Sequence, residues 1–243
     1  MTKQLSPRER LIFALDVSTL DEARRWVKLL KDHVGMFKVG KELFTAFGPD
    51  AVRAVHDEGG EVFLDLKFHD IPHTAAMASL NAARHGVAIV NLHATGGFSM
   101  MERAVTVVRE GCEAEGRRRP LLLAVTLLTS LAEDDLADVG IRGPLGERVV
   151  ELAALAKRAG MDGVVASPHE TGRIRKRLGE SFIILTPGIR PAGSGSDDQR
   201  RIMTPAEAVR TGSDYIVVGR PIRLAKEPVR VTERIIAEIE GVE

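Results

Sequence analysis

Short apolar runs alternate with longer amphipathic stretches along this chain, eight times over, and that alternation narrows the available folds more than any other feature. The runs read as strands cover residues 11–17, 36–40, 61–67, 88–94, 121–128, 163–167, 182–188 and 215–219. They are rich in Val, Ile, Leu and Phe, as strands covered on both faces are. Helical stretches lie between them. The stretch 21–33 has Thr19 or Asp21 as a cap and carries Ala23, Trp26, Val27 and Leu30 at helical spacing. The stretch 74–85 has Thr74 as its cap and Gly86 as its stop; 146–159 is followed by Gly160, and 228–239 closes the chain. Strand then helix, repeated eight times, predicts a parallel sheet closed into a (β/α)8 TIM barrel, with a doubly wound open sheet as the alternative. The 243 residues suit one such barrel, read as a single catalytic domain over 1–243 with no low-complexity linker. Two segments read as long loops, 129–146 and 190–201, the second centred on Gly193-Ser194-Gly195-Ser196.

Charge and cysteine content remove several function classes. Lys plus Arg and Asp plus Glu both number 34, so net charge gives no support for a nucleic-acid or membrane partner. The one cysteine, Cys112, cannot form an internal disulfide, which fits a reducing cytoplasm. The N-terminus is polar, with no secretory pattern, and no run approaches the roughly 18 apolar residues a membrane span needs. A soluble cytoplasmic protein is the expectation.

Barrels of this kind carry their active sites at the C-terminal ends of the strands. Here those ends hold charges. The first strand ends in Asp16, the second contains Lys38, the third contains Asp65 and Lys67, and the fourth ends at His93. Side chains alternate along a strand, so Asp65 and Lys67 share a face, with Leu64 and Leu66 on the other. An isolated charge inside a barrel is costly, but a neutralising cluster with Asp16 and Lys38 is tolerable. Taken alone, these four residues also fit a structural ion network. Asp70 follows in a loop before Pro72 and alone reads as a solvated turn residue.

The run Asp65-Leu66-Lys67-Phe68-His69-Asp70-Ile71-Pro72-His73-Thr74 resembles the signature of the orotidine 5′-phosphate decarboxylase family, its bacterial branch in particular. The D-x-K-x-x-D core is shared with related phosphosugar enzymes; the D-I-P-x-T extension is more specific. Further family-like segments follow in family order: Ala14-Leu15-Asp16, Lys38-Val39-Gly40-Lys41, Thr126 to Ser130, Thr186 to Pro191, Asp198 to Arg201 and Val218 to Ile222. The resemblance implies a (β/α)8 homodimer with shared active sites that converts orotidine 5′-monophosphate to UMP and CO₂ without metal or cofactor. It implies Lys67 as proton donor, Asp65 and Asp70 as its flanking carboxylates, Asp70 coming from the partner subunit, and Lys38 in the same array and on the ribose. It also implies substrate contacts from Asp16, Ile71, Thr74, Thr129, Ser130, Pro187, Arg190, Gln199, Gly219 and Arg220. One departure stands out. The phosphate loop reads Asp197-Asp198-Gln199 where the family pattern has Gly-Asp-Gln. The segment around Arg117-Arg118-Arg119-Pro120 is longer than the family's, and its arginines read as a solvated patch.

These residue types suit the chemistry. Loss of CO₂ from the pyrimidine leaves a carbanion with no neighbouring group to delocalise it, and enzymes usually recruit a cofactor for such steps. No phosphate-binding P-loop, dinucleotide fingerprint or histidine triad is visible. A fixed ammonium can stabilise the developing charge and then supply the proton. Two rival readings remain open: a metal-dependent phosphosugar decarboxylase, aldolase or epimerase on the same barrel, and a catalytically dead barrel that binds nucleotide. His93, Met100, Met101 and Trp26 read as packing or supporting residues.

Overall fold

The computed structural model describes residues 5–191 and 203–242. Eight parallel strands close into a barrel in chain order: β1 (Leu11–Ala14), β2 (Met36–Gly40), β3 (Val62–Phe68), β4 (Ile89–His93), β5 (Leu121–Val125), β6 (Gly163–Val165), β7 (Ile183–Thr186) and β8 (Tyr215–Val218). Closure comes from β8 pairing with β1, Phe13 beside Val218. All eight predicted runs become strands, and the closed barrel displaces the open-sheet alternative.

Alternation divides the apolar residues into two layers. Ile12, Ala14, Met36, Phe63, Ile89, Leu123, Val125, Leu185 and Val217 form one cluster, the filling of the barrel. Their neighbours Leu11, Phe13, Phe37, Val39, Leu64, Val90 and Leu92 belong to a larger cluster with the helices. Each fully buried side chain of this size contributes roughly 1.5–3 kcal/mol, so the two layers together fix strand register: a one-residue slip would exchange them.

The helix Leu20–Leu30 starts at Thr19, whose hydroxyl accepts from the Glu22 N–H. It buries Ala23, Trp26, Val27 and Leu30, and the Trp26 ring sits 5.2 Å from Phe13. The helix Pro72–Arg84 starts earlier than its sequence suggests. Pro72 takes the first helical position, where its fixed φ fits and its missing N–H costs nothing, so Ile71 is the cap and Thr74 lies exposed in the first turn. Leu145–Arg158 and Pro228–Glu240 match the expected helices within a residue or so. Gly86 and Gly160, at φ 78 and 82, turn the chain from helix toward strand.

Segment 129–146 is not all loop. It holds the helix Glu133–Asp138, whose Asp135 carboxylate accepts from the Ala132 N–H at 2.7 Å. Of segment 190–201, only Arg190 and Pro191 fall within the described residues, so Gly193 to Ser196, Asp197, Asp198 and Gln199 lie outside them. The two sides of that segment meet where the Arg190 N–H donates to Met203 O at 3.0 Å. Of the arginines 117–119, Arg117 and Arg118 are exposed, as expected of a solvated patch, and Arg119 is half-buried. Arg117 pairs with Glu115, Arg118 with Glu61, and Arg119 with Asp162 at 3.0 Å.

Candidate active site

Charges gather at the C-terminal mouth of the barrel because the interior alternation of the first four strands ends there in polar residues. Met36 and Phe63 are interior residues, and two positions on come Lys38 and Asp65. Asp16 follows β1. The resulting row is continuous. Lys38 Nζ lies 3.0 Å from Asp16 Oδ1 and 3.7 Å from Asp65 Oδ2, and Lys67 Nζ donates to Asp65 Oδ1 at 2.6 Å. Charge alternates along it: carboxylate, ammonium, carboxylate, ammonium.

Asp65 is the most constrained member. Burial pushes its carboxyl upward, but the Lys38 and Lys67 ammoniums, with hydrogen bonds from Lys67 and Asn91, outweigh that and hold it below the usual carboxylate range. It is therefore an ionised group held between two cations.

Lys67 reaches this row by a route simple alternation does not describe. Pairing of β3 with β4 runs Leu64 beside Val90 and then Phe68 beside Leu92, a register shift across the intervening residues. Among the described residues, Lys67 is the one non-glycine with positive φ, at 55°. The left-handed backbone costs roughly 1–2 kcal/mol for such a residue. The two side chains still converge, so the predicted pairing of Asp65 with Lys67 stands while its geometric reason changes.

Asn91, which the sequence marks only as part of a strand end, is fully buried in β4. Its Oδ1 accepts from the Lys67 N–H at 2.8 Å and its Nδ2 donates to Asp65 Oδ1 at 2.7 Å. A signal for it does exist in the alternation: Ile89 faces the barrel interior, and two residues on comes Asn91. His93, two further, stacks at 5.4 Å on His69. Burial, then the neighbouring His69, Lys67 and Lys41, lower its pKa to about 4 against a weak opposing pull from Asp65. His93 is thus neutral at the mouth.

The other predicted residues divide. Gly219 follows β8 against the start of the row: a Cβ there would meet Ala14 Cβ at 3.1 Å and Asp16 Oδ2 at 3.5 Å. Arg220 follows it, half-buried; Pro187 and Thr129 are half-buried and Ser130 exposed. Arg190 is buried beyond the end of β7 and donates to Ile189 O at 3.1 Å. Asp70, Ile71 and Thr74 form a separate, exposed group. The Asp70 carboxylate accepts its own neighbour's N–H, from Ile71 at 2.6 Å, and Ile71 is 67% exposed. Among the described residues, no group of three or more His, Cys, Asp or Glu side chains could hold a metal ion, and no helix is long and apolar enough to cross a membrane.

Comparison with known proteins adds to this geometry. The model of the orotidine 5′-phosphate decarboxylase / HUMPS family matches residues 9–235. The chain is 58% identical to orotidine 5′-phosphate decarboxylase of Geotalea uraniireducens over 236 residues, 97% of each chain. It is 56% identical to the enzyme of that name from Geobacter sulfurreducens, over 96% of each. Among solved structures, it is similar to orotidine 5′-phosphate decarboxylase of Lactobacillus acidophilus, with TM-score 0.83 and 39% identity over 94% of this chain and 98% of that one. Its counterpart from Pyrococcus horikoshii gives 0.73 and 29%, over 96% and 100%.

Proposed function

The chain belongs to the orotidine 5′-phosphate decarboxylase / HUMPS family, and on that basis we propose that it releases CO₂ from orotidine 5′-monophosphate to give UMP, the last step of de novo pyrimidine biosynthesis, with Lys67 as the proton donor. The observation that carries this reading is the Asp16–Lys38–Asp65–Lys67 row at the barrel mouth. In the reaction, the bond between the ring carbon and its carboxylate breaks. The electron pair stays on the carbon, CO₂ leaves, and a proton passes from Lys67 Nζ to that carbon. Lys67 lies in a preorganised field, which is the arrangement that stabilises charge appearing only in the transition state. Asp65 keeps the ammonium aimed. Lys38 and Asp16 offer a cation and a carboxylate to ribose hydroxyls. Thr129, Ser130 and Pro187 frame the base, and Arg190, Gln199, Gly219 and Arg220 take the phosphate; glycine allows close backbone approach and arginine supplies a bidentate fork.

The working enzyme in this reading is a cofactor-free cytoplasmic homodimer, each chain one catalytic domain. The Asp70 carboxylate bonds to the Ile71 N–H rather than to its own chain's Lys67, and it sits with Thr74 beside a widely exposed Ile71. An exposed isoleucine between two polar residues suits a tip that inserts into a partner's mouth, with Asp70 and Thr74 completing the partner's site.

The test is the ultraviolet absorbance of orotidine 5′-monophosphate mixed with the purified protein in EDTA, beside a Lys67→Ala control. The expected result is loss of substrate absorbance with the wild type and a rate at least about 1,000-fold lower with the variant, at or beyond the cost of one oxyanion-hole donor. Decarboxylation that needs added metal, or that survives in Lys67→Ala, overturns the reading.

A further inference from the structure

We infer that Asn91 is the positioning residue of the charge row: its carboxamide holds Lys67 in its left-handed conformation and fixes Asp65, so that the Lys67 ammonium points where a proton is needed. This rests on the proposed decarboxylase reading for its kinetic consequences, though not for its geometry. The register shift between β3 and β4 takes the Lys67 N–H out of the regular ladder, and Asn91 Oδ1 replaces the lost acceptor at 2.8 Å. The same amide donates to the Asp65 oxygen that Lys67 Nζ grips at 2.6 Å. One side chain thus ties both ends of the Lys67 residue, backbone and tip, to one carboxylate.

The position demands an amide. A buried polar group must find its partners, and here one partner is a donor and the other an anion. Asn offers both an acceptor and a donor at that reach without carrying charge. Aspartate would supply the acceptor but set a second carboxylate against Asp65. Leucine would fill the space and leave the Lys67 N–H without an acceptor, in a backbone conformation that already carries strain.

This gives the substitution Asn91→Asp a distinctive pH signature. A protonated carboxyl at position 91 would present a C=O to Lys67 and an O–H to Asp65, copying the amide; an ionised one would repel Asp65. The charged and titratable groups around it are Lys38 from β2, Asp65 and Lys67 from β3, and His93 on β4 with His69 stacked beyond; from β5, the residue beside Asn91 is the apolar Leu123. Two carboxyls in contact share a proton, with the second ionisation displaced upward. The Asn91→Asp enzyme should therefore lose kcat as pH rises, by at least about tenfold between about pH 5 and 8 relative to the wild type measured at the same pH values. Asn91→Ala should lower kcat on the order of 100-fold, the effect of misplacing a reacting group by about 1 Å, with KM changed less than about threefold.

A merely structural role would lower the active fraction and melting temperature without reshaping the pH profile. An Asn91→Asp profile parallel to the wild type overturns the inference. So does a crystal structure of Asn91→Ala in which Lys67 keeps its positive φ and its contact with Asp65. That structural readout holds even if the wild type proves inactive on orotidine 5′-monophosphate, a result that would instead remove the proposed substrate.

Discussion

Among single residues, the barrel mouth combines groups held charged with one held neutral. Asp65 is kept ionised by two ammoniums, and His93, at the end of β4, is kept neutral by burial and nearby positive charge. The neutral imidazole has a consequence for stability. Its folded pKa, about 4, lies below the ordinary 6.5, so between those values the unfolded chain binds a proton that the folded chain refuses. Stability must then rise with pH across that interval and fall as pH drops through it. A displacement of this size corresponds to at most roughly 3 kcal/mol. We expect His93→Gln to flatten the dependence of unfolding free energy on pH between 6.5 and about 4, measured by urea titration at several pH values. A slope equal to the wild type's would show that His93 is not the group responsible. Asp65 acts at lower pH: its folded pKa is depressed, so its contribution is present above the ordinary carboxylate range and disappears as pH falls through the folded value.

Among the strands and helices, the N-terminal end of the barrel shows a device used twice. Asp162, just before β6, accepts from the Leu122 N–H at 2.7 Å and pairs with Arg119. Asp214, just before β8, accepts from the Ile184 N–H at 2.7 Å and pairs with Arg175 at 2.8 Å. Each carboxylate pins the preceding strand by a backbone N–H and a nearby arginine. Hydrogen bonds to a charged partner contribute about 1.5–3 kcal/mol. Asp162→Ala and Asp214→Ala should each lower Tm by roughly 4–10 °C in a chain of this size and leave kcat per folded molecule unchanged, because the mouth is at the other end. Calorimetry beside active-site titration checks this; a variant with intact Tm refutes the pinning role. The sequence shows the strands plainly because strands buried on both faces are continuous apolar runs. It shows Asp65 and Lys67 because two charges inside such a run are too costly to keep unless they neutralise one another or serve a site. The β3 bulge is not legible there, since the positive φ of Lys67 is imposed by pairing with β4 and by the Asn91 amide. The helix Glu133–Asp138 escapes for a local reason: its acidic face has no apolar stripe beyond Leu136 to announce it.

For the molecule as a whole, the row at the mouth and the Asp70–Thr74 tip must be joined by a second chain if the proposed site is right. Asp65, Lys67 and Lys38 converge within one chain, whereas Asp70, three residues after Lys67, turns back on Ile71 and stays exposed. Mixing two dead variants decides whether Asp70 works in its own chain or the partner's. Lys67→Ala lacks the proposed proton donor, and Asp70→Ala lacks the proposed second carboxylate. If each site takes Lys67 from one protomer and Asp70 from the other, a Lys67→Ala/Asp70→Ala heterodimer contains one fully wild-type site and one doubly altered site. Random reassortment of equal amounts makes half the dimers mixed, so about a quarter of wild-type activity should return from two nearly inactive preparations. If Asp70 served its own Lys67, every site in the mixed dimer would still lack one group, and nothing would return. Recovery should also follow the exchange of subunits, appearing only after dilution or mild denaturant lets dimers dissociate. A quarter of the activity therefore places Asp70 in trans, and its absence after proven exchange places Asp70 in the site of its own chain; an Asp70→Ala protein that keeps its activity before any mixing makes Asp70 a solvated turn residue.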